Sequence, residues 1–126
     1  MANELLVEYI EDGRKLIELL DQDGRFKVTN ALWYYVSESS QWRLLIGSPY
    51  VGKRGNRKSY QFIQSIIKNT PNFKLSLDLI APMKSKDPLF DLLRIMIKCE
   101  GYCGIRMTNT TINGFLIEDT YIYRNI

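Results

Sequence analysis

The chain has 126 residues, 45% hydrophobic and 25% charged, with no histidine, two cysteines and a formal charge of +3. That is the length of one domain, able to bury about two-thirds of its unfolded surface without a staple, and the apolar share excludes a disordered chain. Without histidine the chain cannot supply a His-dependent triad, a Cys-His dyad, a histidine proton shuttle or a histidine-ligated zinc site.

Residues 3–22 read as an amphipathic helix, with Leu5, Leu6, Tyr9, Ile10, Leu16, Ile17 and Leu20 at three-to-four spacing. Gly13 falls on the apolar stripe, which points to close packing against another element. Asp23-Gly24 ends the helix. Charge is unevenly spread: residues 1–24 carry seven acids against Arg14 and Lys15, a balance of −5, and the rest carries +8. Either the first segment complements the body, or the body has a basic face for phosphate or an acidic partner.

Residues 26–36 and 41–47 are rich in β-branched and aromatic residues, and Ser37 to Ser40 suits a four-residue hairpin loop. Pairing Val36 with Gln41 sets Tyr35 opposite Trp42 and Trp33 opposite Leu44. It also sets Tyr34 opposite Arg43 on the other face. Neither face is cleanly polar, so both are covered or one invites a partner.

Ser48 to Gly55 reads as a loop, followed by a helix over about 57–69 with Asn56 as N-cap. A strand from Phe73 to Ile80 alternates apolar and polar residues, and Pro82 closes it. Asp87-Pro88 opens a third helix, apolar around much of its girth and stopped by Gly101. Two last strands cover about 103–109 and 114–124, with Asn113-Gly114 as the hairpin turn. The order αββαβαββ predicts a single domain over 1–126. Its expected class is α/β of the α+β type: a two-layer sandwich of three helices on a largely antiparallel five-stranded sheet.

Four cations, Lys53, Arg54, Arg57 and Lys58, lie between a strand end and a helix start. Beside Gly52 and Gly55 they would favour an anion or nucleic acid, although neither phosphate-loop fingerprint is satisfied. Trp33, Tyr34, Tyr35, Trp42 and Tyr50 supply aromatics of the kind single-strand binders use, without a recognisable RNA-binding motif. Glu118 and Asp119 sit inside the last strand and point to opposite faces, so they cannot form an acid/base pair. Arg106 and Asp119 become diagonal neighbours, a structural ion pair or a lone functional carboxylate. Cys99 and Cys103 cannot complete a tetrahedral metal site and read as reduced thiols.

The runs Ala31 to Tyr35, Trp42 to Pro49, Tyr60 to Ile63 and Ile112 to Arg124 resemble a family of small uncharacterised prokaryotic proteins. The resemblance covers about 15–124 and implies one cytosolic domain; it carries no activity and no functional residue.

The leading expectation is a non-enzymatic binding or assembly module that self-associates as a homo-oligomer or meets a protein partner, with no cofactor or metal. It draws on an apolar-faced hairpin and a C-terminal strand that either closes the sheet or offers an edge. The alternative is a nucleic-acid or phosphate binder using 53–58. A third is a metal-dependent hydrolase or nuclease on Glu118 or Asp119. No run approaches the roughly 20 apolar residues of a membrane span, so the expected setting is cytoplasmic, without a membrane.

Overall fold

A computed structural model describes residues 4–126, which form three α-helices and one five-stranded sheet. In chain order these are α1 (Val7–Asp23), β1 (Asn30–Val36), β2 (Gln41–Ser48), α2 (Pro49–Lys68), β3 (Ile80–Lys84), α3 (Pro88–Arg94), β4 (Ile105–Ile112) and β5 (Phe115–Asn125). The strands lie in the order β3-β2-β1-β5-β4. Three neighbouring pairs are antiparallel and β2–β3 is parallel, so the sheet is mixed.

The β1–β2 hairpin has the expected register, Val36 opposite Gln41 and Tyr35 opposite Trp42. Both of its faces are covered. Trp33, Tyr35, Trp42, Leu44 and Ile46 join a core with Leu16, Ile17 and Leu20 of α1 and Val51 and Ile63 of α2. Leu32 and Leu45 join a second core with Phe90 and Leu93 of α3 and Ile117 and Ile122 of β5. The two-layer expectation is therefore corrected: α3 covers the face opposite α1 and α2.

Four local readings are also corrected. Ser48 to Arg54 is not a loop: the Ser48 hydroxyl accepts from the Tyr50 N–H at 3.1 Å and Pro49 takes the first helical position, so a first helical run starts there, ahead of the one expected from Asn56. Gly55, at φ 84°, is non-helical and divides α2, so the helix expected after Asn56 is present as its second run. Residues 73–76 form no strand, because the Lys74 and Leu75 N–H groups donate to the Asp12 carboxylate at 2.6 and 3.2 Å. The strand is Ile80–Lys84, where Pro82 is tolerated at the sheet edge. Finally α3 is seven residues long, and Ile95 and Met96 beyond it are exposed.

Two devices bend the sheet. The β1–β5 register slips by one residue at Tyr123, a bulge that lets consecutive side chains reach α1. The Tyr123 hydroxyl donates to the Ile10 carbonyl at 2.6 Å, and Arg124 pairs with Asp21 at 2.9 Å. In β4, Met107 and Ile112 enter the same core although five residues apart, which strict alternation forbids. Asn109 between them has φ 45°. Asn113 and Gly114, both at positive φ, make the expected tight turn.

Cys99 and Cys103 are bonded to each other, correcting the reading of two reduced thiols. The Cys99 N–H donates to the Asn125 carbonyl and the Cys103 N–H to the Tyr123 carbonyl, which pins both residues along the end of β5. Their Cα atoms stand 6.5 Å apart, within reach of a disulfide. Among the described residues, no helix is long and apolar enough to cross a membrane.

Candidate functional site

The parallel β2–β3 pair sets Ser48 opposite Lys84 at the carboxyl ends of both strands, and α2 departs from that same end. A groove of about 610 Å³ opens between the start of α2 and the segment that enters β1, lined by Arg25, Lys27, Pro49, Tyr50, Lys53, Arg54 and Phe62. Its floor is an aromatic cluster: Phe26 lies 5.0 Å from Tyr50 and 5.7 Å from Phe62, and Tyr50 lies 5.4 Å from Phe62. Arg25 sits 5.0 Å above the Phe62 ring.

Of these cations, only Arg25 has an acid beside it. Its guanidinium meets Asp23 at 2.8 Å and, through that hydrogen bond, holds the carboxyl below the usual carboxylate range. Lys27, Lys53 and Arg54 are exposed and form no ion pair with any described residue. A second depression of about 300 Å³ shares Pro49 and Lys53 with the first and adds Gly52, Lys84, Ser85 and Lys86. Six cations thus surround the first turn of α2.

The four cations singled out in the sequence divide. Lys53 and Arg54 line the groove, whereas Arg57 and Lys58 lie past the Gly55 kink and line neither depression. Lys27 belongs with the cations that the sequence offers a single-strand binder beside those aromatics, whereas sequence reasoning missed Arg25, Lys84 and Lys86; the four reach the site from two other segments, 25–27 and 84–86. The one available signal was the excess of positive charge beyond residue 24.

The polar residues of the last hairpin serve another purpose. Arg106 Nε and Nη2 donate to the two oxygens of Asp119 at 2.5 and 2.7 Å, and the guanidinium lies 5.2 Å from the Trp42 ring. That hydrogen bonding raises the Arg106 pKa. With both oxygens engaged, Asp119 reads as an ion-pair partner. Glu118 instead lines a shallow depression with Tyr34 and Glu38. Burial, aided by the Glu118 charge, raises the Tyr34 phenol pKa. No three His, Cys, Asp or Glu side chains converge among the described residues. No family model, curated protein or solved structure matches the chain.

Proposed function

We propose that the chain binds a phosphate-bearing ligand, nucleic acid or a smaller phosphate compound, in the groove between the start of α2 and residues 25–27 and in the adjoining depression beside the end of β3. One observation carries this reading: Lys27, Lys53, Arg54, Lys84 and Lys86 crowd one surface with no acid paired to any of them. Three acids of α1 are occupied elsewhere, Glu8 on Lys74, Glu18 on Arg14 and Asp21 on Arg124, and Asp23 pairs only with Arg25. Like charges held together without counter-charges cost free energy, which an anion recovers on binding.

Self-association ranks second, because the features that suggested it have other partners in the fold. The C-terminal strand is internal, between β1 and β4, and the hairpin is covered on both faces. The metal-dependent hydrolase ranks third, with Asp119 held by Arg106.

The test is binding of a labelled oligonucleotide and of inorganic phosphate compounds at low salt, with Lys53→Ala/Arg54→Ala as the variant. Binding that weakens about tenfold or more in the variant, and falls with salt, supports the reading. An absence of binding at about 50 mM salt, or an unaffected variant, overturns it.

A further inference from the structure

We infer that the two depressions form one track for a single-stranded nucleic acid, with backbone phosphates on both sets of cations and a base against Tyr50. This rests on the phosphate-binding reading and narrows it to a ligand class. The depressions adjoin, since Pro49 and Lys53 line both. One phosphate engages two or three cations at most, leaving the others of Arg25, Lys27, Lys53, Arg54, Lys84 and Lys86 unneutralised. A chain of phosphates can serve both ends, with Lys53 at the junction.

The aromatic floor selects among polyanions. Phe62 is occupied by the Phe26 ring and the Arg25 guanidinium. Tyr50 is half-buried, tilted against Phe26 and Phe62, and lines the larger depression. It is a ring fixed by its neighbours beside unpaired cations, the pairing with which proteins hold single strands: groove cations along the backbone and a ring under a base. A duplex keeps its bases stacked inside and cannot offer one to a recessed ring. An acidic peptide has charge but no flat face for Tyr50.

The experiment compares fluorescence anisotropy of labelled oligothymidylates of about 4 and about 16 nucleotides with binding of thymidine monophosphate and inorganic polyphosphate. The longer strand is expected to bind about tenfold tighter or more than the shorter. Lys84→Ala/Lys86→Ala removes exposed side chains, so the fold is kept. It should weaken the longer strand about fivefold or more, and by a larger factor than it weakens the 4-nucleotide strand. Tyr50→Leu, shown folded by its thermal melt, should weaken the oligonucleotide and leave polyphosphate unchanged. If affinity is flat with length and the Lys84/Lys86 variant binds as the parent does, the track is wrong while monophosphate binding keeps the proposed function. Equal competition by polyphosphate together with an inert Tyr50→Leu, or a preference for duplex, also overturns the single-strand assignment. If none of these probes binds, both readings fail together.

Discussion

A methyl group at position 13 would fall on the Tyr123 hydroxyl and 3.2 Å from Trp33 Nε1. Those two atoms belong to a buried relay: Trp33 Nε1 donates to the Tyr123 oxygen at 2.9 Å, and Tyr123 donates to the Ile10 carbonyl of α1. Gly13→Ala gains about 1 kcal/mol of helix propensity but forces α1 off the sheet, at a cost of about 1–3 kcal/mol. We expect a net loss, read as a lower melting temperature. The sequence showed that something packs closely on Gly13 but not what, because the bulge that aims Tyr123 leaves no local signature. The same relay predicts a pH response. Burial pushes the Tyr123 phenol well above its ordinary value. Its stabilising contribution is complete below the unfolded value, about 10, and is lost as pH rises above that. Unfolding free energy from urea titrations should fall from about pH 10 upward. Tyr34 and Tyr102 are shifted the same way by burial, so Tyr123→Phe should shallow that fall without abolishing it. An unchanged slope in the variant would remove Tyr123 from the account. At neutral pH the substitution leaves the buried Trp33 N–H without its acceptor, costing about 1–3 kcal/mol.

Among the elements, those with strong local chemistry were legible: the β1–β2 register, the Asn113-Gly114 turn, the Gly24 stop of α1 and the Asp87-Pro88 start of α3. Elements decided by distant partners were not. Residues 73–76 alternate like a strand, yet Asp12, some 60 residues earlier, takes their N–H groups. Ser48-Pro49 is good helix-start chemistry, but Gly52 and Gly55 after it mimic a loop. Asn109 was the hardest to see, since its left-handed conformation interrupts a strand whose flanks are regular. β4 is an edge strand, and such an interruption disfavours pairing with another chain, as Pro82 does on the opposite edge. A β-branched residue at 109 cannot hold that backbone cheaply, at about 1–2 kcal/mol. Asn109→Val should therefore lower stability by about that amount, or straighten the edge and promote association. Asn109→Gly should do neither. Thermal melts with light scattering separate these outcomes, and a valine variant as stable and monodisperse as the glycine one would deny the edge role.

Across the whole molecule, the modest charge of +3 conceals a division of labour. Two acids of α1 are spent within the fold, Asp12 capping the 73–76 segment and Asp21 anchoring β5. The cations around the first turn of α2 are left over. Complementarity between the acidic first helix and the body, and a surface of cations without ion-pair partners among the described residues, are therefore both present, using different residues. Composition could expose the imbalance; only the parallel β2–β3 pairing could bring Lys84 and Lys86 beside Lys53. This arrangement makes a prediction about cations that sequence proximity treats as equal. Arg57 and Lys58 are as exposed as Lys53 and Arg54 and only a few residues away. They lie beyond the kink at Gly55, outside both depressions. Arg57→Ala/Lys58→Ala changes the net charge as much as Lys53→Ala/Arg54→Ala does, so general electrostatic attraction should weaken equally in the two variants. Direct contact should not. With an oligonucleotide at about 150 mM salt, where the screening length is about 8 Å, the groove pair should cost about tenfold and the distal pair less than about threefold. The slope of log affinity against log salt should become shallower only in the groove variant. Equal losses from both pairs would mean that charge alone, and not the groove, attracts the ligand.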